Sequence, residues 1–221
     1  MKLGRSYGGL AVLLIVFTAA GSKAATVTNS LGNLSGDVTT NGALVDEAQV
    51  IETTLTLASM SNLTVYTTSY GGGTNLDGST TVMGGFQSMI TLYDAAGNYV
   101  IGEEVTSPIA NTDTTSGLAL DSYLQAMNLL PGSYMVTLTD WQTQQPATAT
   151  NLSDGFSGPG GTAFLDVQGN RRTGAYTLNL SATSMVTATP EPATLWLLVP
   201  GVLFAAFFTC KHSLKTILSW R

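Results

Sequence analysis

Between about residue 43 and residue 182, apolar and polar residues alternate with a period of two. This period is typical of β-strands with one buried face, whereas the 3.6-residue period of an amphipathic helix is hard to find. The predicted strands contain Thr54–Leu57, Leu63–Tyr66, Phe86–Tyr93, Tyr99–Ile101, Tyr134–Thr139 and Tyr176–Ser181. We expect each strand to be half-buried, with a polar outer face.

Turn-forming residues separate these strands. Asp94-Ala95-Ala96-Gly97-Asn98 predicts a hairpin, and Leu130-Pro131-Gly132 predicts the turn that opens the next strand. Tyr70 to Asn75 and Gly155 to Gly161 are longer Gly-rich loops. Many short strands joined by polar turns predict an all-β fold, an antiparallel β-sandwich or jelly roll.

The N-terminus follows a different pattern. Two basic residues precede an apolar run from Gly8 to Ala20, and small residues follow it. This order is typical of a secretory signal peptide, so we predict a signal peptide over residues 1–24, cleaved between Ala24 and Ala25. The alternative is a retained membrane anchor or a buried helix.

The C-terminus also differs from the body. After a predicted linker over residues 183–189, the segment 193–209 is almost wholly apolar, which predicts a short transmembrane helix. The basic residues Lys211, Lys215 and Arg221 follow it and predict a cytoplasmic tail.

Pro190, Glu191 and Pro192, followed by this span and basic tail, resemble the PEP-CTERM sorting signal of Gram-negative bacteria. The same motif also carries the name ice-binding protein C-terminal domain. The resemblance implies processing by signal peptidase and by exosortase, a membrane transpeptidase. It also implies a transient inner-membrane anchor and delivery to the outer surface or extracellular matrix. The tail departs from the family pattern, because a longer and weaker basic segment replaces the usual arginine cluster.

The body carries a second resemblance. Leu92 to Gly97, followed by Leu130 to Val136, is similar to a motif pair of the bacterial pre-peptidase C-terminal domain, a calcium-tolerant β-sandwich of secreted proteins. Residues 43–182 also resemble a group of PEP-CTERM surface proteins built on that sandwich. The resemblance implies a secreted β-sandwich over residues 25–182 and implies no catalytic activity.

Charge narrows the functions that the body could perform. The chain has 221 residues and a net charge of −6, and six of its eight basic residues lie in the two terminal segments. Without those segments the body keeps 13 acidic residues and only Arg171 and Arg172, which argues against nucleic-acid binding. It has no His, Cys or Lys, which excludes a Ser-His-Asp triad, Cys-His catalysis, a Lys Schiff base and a zinc site of His or Cys.

We therefore expect a non-enzymatic protein, with one catalytic alternative. A carboxylate pair would suffice for glycoside hydrolysis, and the candidates are Glu52, Glu103, Glu104 and Asp140. Glu103 and Glu104 are adjacent in sequence, so on a strand they would point to opposite faces.

Calcium is a better chemical candidate, since it prefers hard oxygen ligands. The candidate ligands are the carboxylates of loops and strand ends: Asp46, Glu47, Asp77, Glu103, Glu104 and Asp113. The alternative is that these residues form turns and keep the surface soluble. For Arg171 and Arg172, the structural interpretation pairs one of them with an acid such as Asp166, and the functional one makes them a carbohydrate or carboxylate contact.

The function we expect is that of a structural or adhesive cell-surface protein in an exopolysaccharide or biofilm matrix. The first alternative is a carbohydrate-binding module, which surface aromatics such as Trp141, Tyr99 and Tyr123 on one face would support. A carboxylate-based hydrolase is a second alternative. Ice binding is a third, although it would need a flat, regular array of threonines and the spacing here is irregular.

Overall fold

The computed structural model describes residues 24–103 and 107–185. The predicted sorting motif Pro190–Pro192, the predicted span over residues 193–209 and Glu104 lie outside these residues, as does all of the predicted signal peptide except Ala24. Within the described ranges, no helix is long and apolar enough to cross a membrane.

The described residues form eleven strands and one short 3-10 helix over Leu152–Asp154. The strands are β1 Thr26–Asn33, β2 Asp37–Ala43, β3 Val50–Leu57, β4 Ser61–Thr67, β5 Gly73–Thr74, β6 Thr80–Thr81, β7 Ser88–Asp94, β8 Tyr99–Glu103, β9 Tyr123–Leu129, β10 Gly132–Asp140 and β11 Ala175–Ser184. They form a five-stranded sheet in the order β1-β3-β10-β7-β8 and a four-stranded sheet in the order β2-β11-β4-β9. The remaining pair, β5 and β6, forms a small hairpin.

The two sheets enclose one hydrophobic core, so the body is a β-sandwich, as the alternation predicts. Leu55, Val136 and Ile90 of the five-stranded sheet lie in the same buried cluster as Val65 and Leu178 of the four-stranded sheet. All strand pairs are antiparallel except β1 with β3, which is parallel. This pair departs from the predicted purely antiparallel arrangement. The last strand ends at Ser184, two residues beyond the predicted end of the domain.

Three long strands were missing from the pattern of alternation, namely β1, β2 and β9. All three lie at the edges of their sheets. An edge strand buries fewer side chains, and β1 and β2 have no fully buried residue at all. The apolar pattern of β1 and β2 is therefore too weak to mark them as strands. β9 does bury Leu124, Ala126 and Leu129, so this reason does not apply to it.

The expectation of polar, exposed outer faces was wrong for several strands. Tyr93 and Asn179 point away from the core, yet both are completely buried. On the four-stranded sheet, the β5–β6 hairpin covers the outer face, where the Leu76 amide donates to Asn179 Oδ1 at 3.0 Å. On the five-stranded sheet, the chain after β10 covers it, and the Tyr93 hydroxyl donates to Gln145 Oε1 at 2.7 Å.

The connections divide unequally between the two ends of the sandwich. At one end, which we call the turn end, short connections over residues 34–36, 58–60, 95–98 and 130–131 join the strands. At the other, which we call the loop end, lie the long connections 44–49, 68–87 and 141–174 and the chain from 107 to 122. The strand β11 runs from the loop end to the turn end, so the chain leaves the sandwich at the turn end.

Candidate functional site

A buried arginine organises the loop end. Arg172 precedes β11, and its Nε and Nη2 donate to Asp166 Oδ2 at 2.9 and 2.6 Å. Its Nη2 also forms an ion pair with Asp113 Oδ1 at 3.0 Å. Because Asp113 and Asp166 lie on two different long loops, the guanidinium ties both loops to the start of the last strand. The prediction that one of the two arginines pairs with Asp166 is confirmed.

Tyr70 joins the same cluster from a third loop. Its hydroxyl lies 2.8 Å from Arg172 Nη2, from Asp166 Oδ2 and from Ser116 Oγ. The Arg172 Cζ atom stands 4.2 Å above the centroid of the Tyr70 ring, which is cation–π geometry. We refer to Arg172, Asp113, Asp166, Tyr70 and Ser116 as the Arg172 cluster.

In the Arg172 cluster, one buried guanidinium offsets part of the charge of two carboxylates. The hydrogen bond from Arg172 holds the pKa of Asp113 down, at about 2, against the opposing effect of burial. Burial acts to raise the pKa of Asp166, but the hydrogen bonds from Arg172 and Asn170 outweigh it and the pKa is lowered. Burial raises the pKa of the Tyr70 phenol. The charged groups of the cluster are buried, while Ser116 is half-buried, and the contacts join three loop segments.

Asp121 supports the neighbouring Gly-rich loop. It is completely buried, and its carboxylate accepts hydrogen bonds from the amides of Tyr70 and Gly71 at 2.9 and 2.8 Å. It also accepts one from Thr67 Oγ1 at 2.9 Å. Burial nevertheless raises the pKa of Asp121, because taking a carboxylate out of water disfavours its charged form.

A second buried acid at the loop end has no cation beside it. Asp140 ends β10 and is 1% exposed; its Oδ1 accepts the Gln142 amide at 2.9 Å, while its Oδ2 has no hydrogen-bond partner among the described residues. Burial raises the pKa of Asp140 to about 7, and the negative charge of nearby Glu47 adds to the shift. Glu47 is itself buried, and its carbonyl oxygen accepts Thr143 Oγ1 at 2.6 Å.

Four of the proposed calcium ligands, Asp46, Glu47, Asp77 and Asp113, have described side chains, and these do not form one cluster. Within the described residues, no group of three or more acidic, His or Cys side chains is placed to hold a metal ion. Asp113 forms an ion pair with Arg172. Asp77 is exposed and accepts hydrogen bonds from the amide and the hydroxyl of Ser79. Asp46 accepts hydrogen bonds from the amides of Ala48 and Gly161. Glu47 lies beside Asp140, and Glu103 ends β8. Each carboxylate with a described partner thus serves its own turn or loop junction.

Of the proposed catalytic carboxylates, Glu52 and Asp140 can be compared, and they do not share a cleft. Asp140 points between the sheets, since Ser88, its partner on β7, contacts the four-stranded sheet through Thr67 and Ser122. Glu52 points from β3 to the outer face, where its partners in register are Thr28 and Thr137. The two acids therefore lie on opposite faces of the five-stranded sheet.

The aromatic residues proposed to form one binding face are also separated. Tyr99 lies on β8 of the five-stranded sheet, and Tyr123 lies on β9 of the four-stranded sheet. Trp141 is partly buried, and its Nε1 donates to the Leu165 carbonyl at 2.9 Å. A flat threonine array is absent from the described outer face of the five-stranded sheet as well, because Glu52 and Met135 interrupt it and the chain after β10 covers part of it.

A groove remains open on that outer face. It has a volume of about 560 Å³, with a floor formed by β3 and β10 and walls formed by the β7–β8 turn and the 3-10 helix segment. We call it the Glu52 groove. It is lined by Glu52, Thr54, Ser133, Tyr134, Met135, Asp94–Gly97 and Asn151–Ser153.

The sequence interpretation missed Tyr70, Asp121 and the role of Asp113. One signal was available, since the body has only two cations for 13 acids, and a lone buried arginine would attract more than one carboxylate. The contact of Asp121 with the Gly-rich loop gives no comparable signal, because residues 71 and 121 are far apart in sequence.

No protein-family model and no curated protein matches the chain. Among solved structures, the chain is similar to the pre-peptidase C-terminal domain of collagenase from Bacillus anthracis, with 15% identity and a TM-score of 0.36 over 72% of this chain and 96% of that one. It is also similar to PliG of Aeromonas hydrophila, a periplasmic inhibitor of g-type lysozyme, with 11% identity and a TM-score of 0.32 over 72% of this chain and 100% of that one. At these values the likenesses carry no functional argument, and the class of the protein, an all-β sandwich with long loops at one end, rests on its own strand pairing.

Proposed function

We propose that this protein is an exported, non-catalytic surface domain of a Gram-negative bacterium, sorted by its C-terminal PEP motif and acting in adhesion or matrix structure. The observation that carries the proposal is the order of Pro190-Glu191-Pro192, an apolar span and a basic tail at the C-terminus. Signal peptidase and exosortase would process the chain, which would be anchored transiently in the inner membrane.

The arrangement of the loops supports a binding role at a surface. The strand β11 ends at the turn end, and the long loops gather at the opposite end. Loops held on a rigid scaffold are where binding residues concentrate. The Arg172 cluster ties three of these loops together, so side-chain contacts hold the loop end in shape.

The acidic charge of the body also fits an extracellular role. With 13 acidic residues and two arginines, one of them buried, the exported domain repels other copies and remains soluble at the cell surface. The absence of Cys from the body also means that an oxidising compartment leaves its covalent structure unchanged.

Deletion of Pro190–Pro192 from the full chain tests the proposal in a Gram-negative host that encodes an exosortase. We expect the wild-type protein in the surface or matrix fraction and the deletion variant in the inner-membrane fraction. A matched deletion of Val186–Ala188, which removes three residues but keeps the motif, controls for the change in length and should sort normally. The same location for all three proteins would refute sorting through the PEP motif.

A further inference from the structure

The Glu52 groove has the size and lining of a ligand site. Its volume of about 560 Å³ lies within the usual range for small-molecule pockets, about 300 to 1,000 Å³. The register places Thr54 beside Met135 in the floor, and Ser133 follows on the same face of β10. Methyl and thioether groups thus alternate with hydroxyl groups along the floor, which suits a ligand with both C–H faces and hydroxyls.

Glu52 lies in this floor, and its carboxylate has no hydrogen-bond partner among the described residues. The side chain is half-buried, and no residue within 24–103 or 107–185 donates a hydrogen bond to it. Burial raises the pKa of Glu52 and no positive neighbour offsets this effect. A cation bound beside Glu52 would favour its ionised form and supply the missing partner.

The second acid of the groove strengthens the negative potential. Asp94 lies in the opposite wall, and its Oδ1 accepts the amides of Ala96 and Asn98 at 2.9 Å each. These hydrogen bonds lower the pKa of Asp94. No arginine, lysine or histidine lines the groove. An anionic ligand would therefore meet only repulsion, and a cationic ligand is complementary to the site.

The form of the groove favours a saccharide over a peptide. Extended peptides usually bind by adding a strand to a free sheet edge, because the edge supplies main-chain donors and acceptors. The Glu52 groove runs over a sheet face whose main-chain groups already pair with β1, β10 and β7. Side chains are what remain for a ligand. The Met135 thioether and the Thr54 methyl group can contact the C–H face of a pyranose ring, and the hydroxyl oxygens of Thr54 and Ser133, which pair with Asn29 and Thr56, can still accept hydrogen bonds from its hydroxyls.

We propose that the Glu52 groove binds a polysaccharide that carries free amino groups, with Glu52 contacting an ammonium group and Met135 and Thr54 contacting the sugar ring. This inference rests on the proposed function, because it names the class of matrix polymer that the surface domain would hold. It excludes acidic exopolysaccharides, such as polyuronates, as ligands of this groove.

Binding of hexasaccharides to the purified full chain in nonionic detergent tests the proposal. The probes are a glucosamine hexamer, its fully N-acetylated form and a hexauronate. We expect the glucosamine hexamer to bind at least tenfold more tightly than the N-acetylated form, and the hexauronate not to bind. Glu52→Gln should weaken glucosamine binding at least tenfold and abolish the preference for free amines.

Asp37→Asn is the matched control, since it removes one exposed acid from the four-stranded sheet and leaves the groove unchanged. It should bind within twofold of the wild type, and thermal unfolding of both variants checks that they are folded. Equal losses of affinity for the glucosamine hexamer in Glu52→Gln and Asp37→Asn would show a non-specific charge effect and overturn the proposal. Binding of the hexauronate would overturn it as well.

Two further outcomes would also overturn it. Hexalysine binding as tightly as the glucosamine hexamer, with the same dependence on Glu52, would make this a site for cationic peptides. If none of the three hexasaccharides binds, the proposal that the groove holds a polysaccharide is refuted. These measurements use isolated protein, so they fail or succeed independently of the sorting experiment, which reports only the location of the chain.

Discussion

Two of the buried acidic sites at the loop end have opposite electrostatics. In the Arg172 cluster, one guanidinium stabilises the charged forms of Asp113 and Asp166, and both carboxylates have lowered pKa values. Asp140, beside Glu47, has no cation next to it among the described residues, and its pKa rises to about 7. The body has no lysine and only two arginines, so the chain pairs one site with a cation and leaves the other to take up a proton.

The two sites therefore contribute to stability in opposite directions as pH changes. Asp113 and Asp166, with lowered pKa values, contribute stability that is present above the ordinary carboxyl pKa and is lost as the pH falls toward about 2. Asp140, with a raised pKa, contributes stability that is present below about 4 and is lost as the pH rises through about 7. We expect the domain to be most stable at mildly acidic pH.

Arg172→Met should cause the largest loss of stability. It leaves Asp113 and Asp166 buried without a partner, and breaking a buried ion pair in this way typically costs about 3 to 5 kcal/mol. Urea unfolding of the full chain in nonionic detergent, followed by near-UV circular dichroism, measures the change. The exposed neighbour is the control, and Arg171→Met should change the unfolding free energy by less than about 0.5 kcal/mol. Equal effects of the two substitutions would contradict the anchoring role.

Asp140→Asn should stabilise the protein at neutral pH. It removes the ionisation of a buried carboxylate whose pKa is about 7, and a shift of this size corresponds to about 4 kcal/mol at pH 7.5. Below about pH 4 the gain should vanish, because the wild-type side chain is then protonated in both the folded and the unfolded states. Unfolding free energies measured from pH 4 to pH 8 give the test, and parallel pH profiles for the two proteins would refute it.

Gly71→Ala should destabilise the loop end by steric conflict. A Cβ atom at Gly71 would collide with the Asn111 carbonyl, and overpacking of this kind usually costs about 1 to 3 kcal/mol. Gly36→Ala is the control at the turn end, where no atom lies within 4 Å of the added Cβ. Urea unfolding should show a loss for the first variant and almost none for the second; losses of equal size would show that the loop end is not the more tightly packed region.

Tyr70→Phe should have the smallest effect of the four. It removes a hydroxyl that lies 2.8 Å from Asp166 and from Ser116, but it keeps the ring below Arg172. We expect a loss of about 1 kcal/mol, the typical net value of a hydrogen bond. In a double-mutant cycle with Ser116→Ala, a coupling energy near zero would show that the hydroxyl does not link the two loops.

The central strands were predictable from the sequence, whereas of the four edge strands only β8 was predicted. β3, β4, β7, β10 and β11 alternate because they bury one face in the core, whereas β1 and β2 have no buried residue. β9 was missed although it buries Leu124, Ala126 and Leu129. The prediction that the outer faces of the central strands are exposed to solvent was wrong. Whether a polar outer face meets solvent depends on loops that fold back over it, such as the chain that covers Tyr93, and alternation carries no information about those loops.

The site was predictable only in part. The scarcity of cations and the short separation of Asp166 and Arg172 made their ion pair foreseeable. The contributions of Tyr70, Asp113 and Asp121 come from long-range loop packing, for which the sequence has no local signal. The same limitation applies to the Glu52 groove, whose walls come from the β7–β8 turn and from residues 151–153.

Accessibility of engineered cysteines on intact cells tests most directly the claim that this sandwich is displayed at the cell surface. The body has no cysteine, so Val82→Cys at the loop end and Leu130→Cys at the turn end each introduce a unique exposed thiol there. We expect a maleimide too large to cross the outer membrane to label both Val82→Cys and Leu130→Cys without lysis. Labelling of neither variant until the cells are broken open would contradict surface display.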